Sequence, residues 1–152
     1  MSFPYDEPCS ILKGEENKTF EELLHSKIVL LEKCRLACDK GHHAVKGVAA
    51  VINMELVKNI FVRYTKDEWN SFTDVTAEFV SSNFTGDGTT FDQFEFKLPF
   101  NTYNTTAGND ETKDSDWSCS MEFAIAYQVH NIEFWDNNNG QNYQVHLNYS
   151  HA

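Results

Sequence analysis

From Lys27 onward the chain reads in twos. Ile60, Val62 and Tyr64 fall on one side of an extended backbone, with Phe61 and Arg63 on the other. Val75, Ala77 and Phe79 alternate with Thr76 and Glu78, and Phe94, Phe96 and Leu98 with Glu95 and Lys97. Phe123, Ile125, Tyr127 and Val129 alternate with Ala124, Ala126 and Gln128, and Tyr143, Val145 and Leu147 close the series. Two further apolar runs, Ile28-Val29-Leu30-Leu31 and the Val/Ala-rich stretch from Ala44 to Ile52, fit the same texture. A period of two is the signature of a strand with one buried face. Seven or eight such strands at regular spacing predict an antiparallel sandwich or barrel. No helical stripe competes after residue 26.

The N-terminal region reads differently. The first 18 residues are polar and carry two prolines, which predicts a tail. Thr19-Phe20-Glu21-Glu22 has the form of a capping box, opening one short helix through about Ser26. The organisation expected is therefore residues 1–26 as tail and short helix, followed by a β-domain over 27–149. At 152 residues the chain has the length of one domain and can bury a core without disulfides. Asn101 to Ser118 is polar and acidic and reads as a loop between two strands, an insertion that costs little.

Charge narrows the partners. The formal net charge is −11, a sign that repels phosphate backbones and anionic lipid. Nucleic acid and membrane surfaces are therefore not expected. Cys9, Cys34, Cys38 and Cys119 match no zinc spacing, so free thiols are expected, with no metal and no cofactor. Met1 to Ser10 holds no apolar run of a signal peptide, and no stretch approaches the ~20 apolar residues that cross a bilayer. These features lead to a cytoplasmic expectation. The sequons at Asn17, Asn83, Asn104 and Asn148 are then expected to be unmodified.

Chemistry concentrates in Phe134-Trp135-Asp136-Asn137-Asn138-Asn139-Gly140-Gln141-Asn142-Tyr143. Amides and one carboxylate surround an indole, between two strand-like runs. A pyranose offers an apolar face and a rim of hydroxyls. An indole covers the first, and amides, each donor and acceptor, pair with the second. Neutral amides are also less costly to desolvate than charges. The same segment contains Asn139-Gly140, a strong hairpin signal. A turn that presents the side chains satisfies both readings. An exposed Trp in so polar a loop argues for more than a turn.

The run Trp135 to Tyr143 resembles the signature of carbohydrate-binding module family 21, and within it the glycogen-targeting regulatory subunits of protein phosphatase 1. Three other segments match in the family's order. They are Val62-Arg63-Tyr64-Thr65-Lys66-Asp67-Glu68-Trp69 with Asp74 to Val80, Asp92 to Phe96, and Met121 to Tyr127. Together they span roughly residues 28–148. The resemblance implies an all-β fold, an immunoglobulin-like antiparallel β-sandwich, that binds glycogen or another α-1,4-glucan without catalysis. It implies that Trp69 and Trp135 stack on the glucan, with Asn137 and Asn142 as hydrogen-bonding partners. Asp136 and Asn139 of the same loop complete the expected contact set. Implied partners are the protein phosphatase 1 catalytic subunit and glycogen synthase, on the glycogen particle. The phosphatase-docking motif of such subunits has no copy in residues 1–43. A second sugar site, known among starch-binding relatives, would use Leu56, Phe79 and Phe91. Leu56 has no flat face, and Phe79 and Phe91 are expected as core or edge residues.

Three other readings remain. A starch-binding appendage of an amylolytic enzyme would share fold and ligand. A glycosidase would need paired carboxylates, but with 23 acids such pairs are inevitable and uninformative; His42-His43 read as a solvated turn. A sandwich that binds only protein would ignore sugar.

Overall fold

The structure is a computed structural model, and it describes residues 7–8, 18–39, 42–100 and 117–149. Cys9, Asn17, Asn104 and residues 101–116 of the expected loop lie outside them. Two five-stranded antiparallel sheets face each other. The first holds β1 (Glu7–Pro8), β2 (Val29–Asp39), β3 (His42–Ile52), β7 (Thr90–Pro99) and β6 (Glu78–Phe84), in that order. The second runs β10 (Tyr143–Tyr149), β8 (Trp117–Val129), β4 (Asn59–Thr65) and β5 (Thr73–Thr76), with β9 (Ile132–Asp136) also on β8. This is a β-sandwich, one of the two architectures that the alternation predicts and the one that the family resemblance implies.

The inward faces are the apolar halves of the alternating runs. Val29, Leu31, Val45, Val51, Ile60, Val62, Leu98, Phe123, Ile125 and Tyr127 all belong to one buried cluster. Gly47 belongs to this packing by what it lacks, since a Cβ there would sit 2.3 Å from the Phe96 ring. The Phe96 ring in turn meets Phe123 of the opposite sheet edge-on at 5.7 Å.

Helix α1 (Phe20–Lys27) is opened by the capping box that its sequence announces. The Thr19 hydroxyl accepts from the Glu22 N–H at 3.1 Å, and Glu22 accepts from the Thr19 N–H at 2.9 Å. Its buried Leu24 packs with Ala50 and Phe91, and Phe20 closes over the same cluster. Phe91 is thus a core residue.

Two details differ from expectation. Glu7–Pro8, within the expected tail, pairs with Leu36 and Arg35 of β2. The run Val75-Ala77-Phe79 is not one strand. β5 pairs with β4 in one sheet, β6 pairs with β7 in the other, and the chain changes sheets at Ala77, whose N–H donates to the Ile60 carbonyl at 2.9 Å. Phe79 stands on the edge strand β6, exposed, with its ring edge-on to Phe94.

Candidate functional site

Strand β8 carries the site. Its inward residues Met121, Phe123, Ile125 and Tyr127 anchor it in the core. Glu122, Ala124 and Ala126 therefore face outward. On one edge β8 pairs with β4, so Thr65, Arg63 and Phe61 stand opposite Glu122, Ala124 and Ala126. On its other edge β8 pairs first with β10 and then with β9, and Trp135 stands opposite Ala126. Directly opposed residues share a face, which puts Phe61, Ala126 and Trp135 in one row across the sheet.

Trp135 is half-buried in that row. Its ring meets Phe61 edge-on at 5.7 Å, and the Arg63 guanidinium carbon lies 5.4 Å from its centroid. Arg63 itself sits 4.2 Å from the Phe72 ring and forms a bidentate pair with Asp74 at 2.8 and 3.0 Å. The Asp74 hydrogen bonds push the Arg63 guanidinium pKa upward. The Trp135 N–H donates to Glu133 Oε1 at 2.9 Å. The Gln128 amide, first, and this indole, second, hold the Glu133 carboxyl below its ordinary pKa. Ala126 is fully buried although it faces outward, because Phe61 and Trp135 flank it.

Trp69 sits on the β4–β5 loop, half-buried, with φ +68°; Glu68 before it has φ +60°. A bulky residue in the left-handed region is a backbone outlier that its surroundings must hold. The Thr65 hydroxyl accepts from the Trp69 N–H at 3.1 Å and donates to Asp67 Oδ1 at 2.8 Å. Asp67 also accepts from the Ser71 N–H at 2.9 Å and the Ser71 hydroxyl at 2.6 Å. These bonds, those from Ser71 foremost, hold the Asp67 carboxyl below its ordinary pKa. The Trp69 indole N–H donates to Glu122 Oε1 at 2.9 Å. The same oxygen takes the Asn142 amide at 3.4 Å. A shallow depression of about 180 Å³ lies beside it, lined by Asp67, Glu68 and Glu122.

The loop between β9 and β10 explains its own asparagines. Asn138, Asn139, Gly140 and Asn142 have φ of +54°, +56°, +90° and +60°. Asn and Gly enter this region at the least cost. The Asn137 carbonyl accepts from the N–H groups of Gly140 and Asn142, at 3.1 and 2.7 Å. Asn137 and Asn139 are exposed, Asn142 is half-buried, and Asn138 is buried with its amide on the Asn142 carbonyl.

Asp136, expected among the sugar contacts, turns inward instead. It is 1% exposed. Its Oδ1 takes the Lys27 ammonium at 3.1 Å, and its Oδ2 takes the Leu31 N–H at 2.7 Å and the Tyr143 hydroxyl at 2.6 Å. Every partner is buried or nearly so, and the carboxylate clamps the base of the loop to the other sheet.

The two indoles thus belong to the outer face of one sheet. Glu122, bonded to Trp69, and Ala126, opposite Trp135, lie four residues apart on β8. That is about 13 Å of strand. Small Ala124 lies between them. Asn142 approaches from the β10 edge through Glu122. Sequence reasoning missed Glu122 and Glu133, which bond the indole N–H groups, and Arg63, which lies against the Trp135 and Phe72 rings. The alternation already put Phe61 and Arg63 on the outward face, and that was the available signal. Among the described residues no group of His, Cys, Asp and Glu could hold a metal ion. No helix of the described residues is long and apolar enough to cross a membrane.

The sequence model of the family described as "Carbohydrate/starch-binding module (family 21)" matches residues 23–146. Protein phosphatase 1 regulatory subunit 3B of Danio rerio is 26% identical over 145 residues, covering 95% of this chain and 42% of that protein. Protein phosphatase 1 regulatory subunit 3A of Mus musculus is 32% identical over 137 residues, covering 90% of this chain and 11% of that protein. The chain therefore spans less than half the length of these relatives. Among solved structures, the carbohydrate binding module of the muscle glycogen-targeting subunit of Protein Phosphatase-1 is similar, with TM-score 0.60 and 28% identity over 95% of this chain and 93% of that one. The starch binding domain of Rhizopus oryzae glucoamylase shares the fold, with TM-score 0.51 and 24% identity over 78% of this chain and 92% of that one.

Proposed function

The chain belongs to the carbohydrate/starch-binding modules of family 21, and from that premise we propose that it is a non-catalytic module that binds glycogen or a related α-1,4-glucan. In this reading Trp69 and Trp135 stack on glucose rings, and the amides of Asn137, Asn139 and Asn142 pair with hydroxyls. Asp136 acts from beneath the loop and makes no sugar contact. The observation that carries the reading is the pair of half-buried indoles on one outward face, each with its N–H already bonded to a glutamate. With its N–H engaged, each ring has its apolar face left to contribute, which is the part that complements a pyranose. Each stack should be worth about 1 kcal/mol beyond area burial, by analogy with aromatic pairs.

A wider role is supported by the relatives, whose names include protein phosphatase 1 regulatory subunits and a glycogen-targeting subunit. The module would hold a phosphatase on the cytoplasmic glycogen particle. That raises the enzyme's effective concentration near glycogen-bound substrates such as glycogen synthase, without any new catalytic group. One shallow site would bind in the micromolar to millimolar range, and avidity along the polymer would compensate. The starch-binding-appendage reading predicts two sugar sites. Leu56, 88% exposed, presents a branched side chain where the second site would need a flat ring.

The test is a titration with maltoheptaose followed by Trp fluorescence. A saturable change that is lost in both Trp69→Ala and Trp135→Ala is the expected result. No change with the fold intact would leave a purely protein-binding sandwich. Release of reducing sugar would instead show an enzyme.

A further inference from the structure

Strand β4 borders the two-indole face on the side away from the asparagine loop. Its outward residues Phe61, Arg63 and Thr65 stand opposite Ala126, Ala124 and Glu122 of β8. Phe61 is apolar. The Thr65 hydroxyl has its proton engaged, with Asp67 Oδ1 at 2.8 Å and the Ser71 carbonyl at 2.6 Å. Both indole N–H groups are engaged as well, by Glu122 and Glu133. Arg63 differs. Its Nε and Nη2 donate to Asp74, which faces it directly across the ladder on β5. A guanidinium carries five N–H donors in one plane. The edge formed by Nη1 and the second Nη2 hydrogen bonds to no other group among the described residues.

That edge is held in place before any ligand arrives. Asp74 fixes the fork, the Phe72 ring lies 4.2 Å from the guanidinium carbon, and the Trp135 centroid lies 5.4 Å from it. A group ordered in advance loses little freedom on binding. A guanidinium is also weakly hydrated for a cation, so a neutral ligand can strip water from it. Its row is the one that holds Ala124, between the rows of Glu122 and Ala126. Arg63 thus stands level with the middle of the interval that separates the two indoles. A pyranose ring has two rims. The amides of the β9–β10 loop serve the rim on their side, and on the β4 side Arg63 is the outward residue with donors to offer.

The geometry points to Arg63 as a specificity-determining contact at the middle of the site, where its open edge donates to the 2- and 3-hydroxyls of the glucose ring that bridges the two stacked ones. This inference rests on the glucan reading and deepens it. A 1,4-linkage consumes O1 and O4 and leaves those two hydroxyls adjacent and equatorial. The parallel N–H groups of a guanidinium edge suit a pair of acceptors side by side. A lysine in the same place offers one point charge, which cannot hold Asp74 bidentately and the diol together. Phe72 makes no sugar contact in this scheme and braces the guanidinium.

The test compares the full chain with its Arg63→Lys variant, titrated with maltoheptaose and with maltoheptaose methylated at O2 and O3. Expected in Arg63→Lys is a roughly tenfold loss of affinity for the unmodified sugar, with the folded state retained in a thermal scan and the Trp fluorescence change at saturation preserved. Methylation should weaken binding to the unaltered chain and add little to the loss already present in Arg63→Lys. A residue that merely props Trp135 would not give that non-additivity. The arginines of the chain are Arg35 and Arg63, so the side-chain Nε–H region of a proton–nitrogen correlation spectrum reads the contact directly. The Arg63 signal should move with the midpoint of the fluorescence titration, while the signal of Arg35, on the other sheet, stays. Unchanged affinity in Arg63→Lys overturns the proposal, as do strictly additive effects of lysine and methylation. A saturating Trp signal beside a stationary Arg63 signal overturns it too and leaves the glucan reading standing. Absence of any Trp response in the unaltered chain is the distinct outcome that sinks the glucan reading, and the role of Arg63 falls with it.

Discussion

Glu122 Oε1 accepts the indole N–H of Trp69 at 2.9 Å across 53 positions of chain, and the Asn142 amide reaches the same oxygen at 3.4 Å. One carboxylate on β8 therefore ties the β4–β5 loop to the β9–β10 loop. Glu122→Ala is expected to weaken maltoheptaose binding several-fold, on the order of 1 kcal/mol for a lost charge-assisted bond. Glu122→Gln keeps an acceptor at the same reach and should recover most of that loss. Equal loss in both variants, measured by calorimetry, would show that Glu122 does not orient the ring.

Asp136 is the buried clamp beneath the loop. Asp136→Ala would strand the Lys27 ammonium, which is 13% exposed, and leave the Leu31 N–H and Tyr143 hydroxyl without their acceptor. Breaking a buried pair in this way costs about 3–5 kcal/mol. For a domain of this size that is a Tm drop of roughly 6–20 °C. A drop of only a degree or two in a thermal scan would show that the clamp carries little.

Gly47→Ala drives a methyl into the Phe96 ring, with a contact of 2.3 Å if nothing moves. Overpacking of this kind costs about 1–3 kcal/mol. Phe96→Leu leaves room for the new methyl, so the double variant should be destabilised by less than the two single effects combined. Urea denaturation of the four proteins checks this, and strict additivity would show that the two sites are not coupled.

Asp67, which braces the Trp69 loop through Thr65 and Ser71, and Glu133, which holds the Trp135 indole N–H, both have lowered pKa values. A lowered folded pKa means that the fold favours the ionised form. The benefit is complete above the unfolded values, near pH 4, and is lost as pH falls through the lower folded values. Maltoheptaose affinity should therefore hold as pH falls from 7 to about 5 and decline only below about 4. Affinity already halved near pH 6 would point to a different titrating group.

Much of the fold was readable because a period of two reports which face of a strand is buried, and the buried face makes the core. The pattern reports a face but not a partner. That is why Val75-Ala77-Phe79 read as one strand although the chain changes sheets at Ala77. The helix start was legible because the capping box is a local device, complete within Thr19 to Glu22. Of the candidate site, Trp135 and its amides announced themselves by composition. Their left-handed backbone shows that conformation, as well as chemistry, demands asparagine there. Asp136 misled because an acid in a polar loop looks solvated, and Lys27, its partner, lies 109 residues earlier. Glu122 was hidden for the same reason. Its role is defined by a contact that only the folded sheet creates.

Glu122, which holds the Trp69 indole, and Ala126, opposite Trp135, take their separation from a single rod. Four residues of one hydrogen-bonded strand span the interval, and the neighbouring ladders hold that strand at full extension. The interval is thus a gauge that a flexible loop pair could not keep. Under the proposed reading, a ligand stacked on both rings would have to match it by its own repeat, and a single hexose would be too short to touch both marks. A chain with another linkage, stepping at a different pitch, would fall out of phase after the first. The metre of the polymer would then select among glucans alongside the hydroxyl contacts.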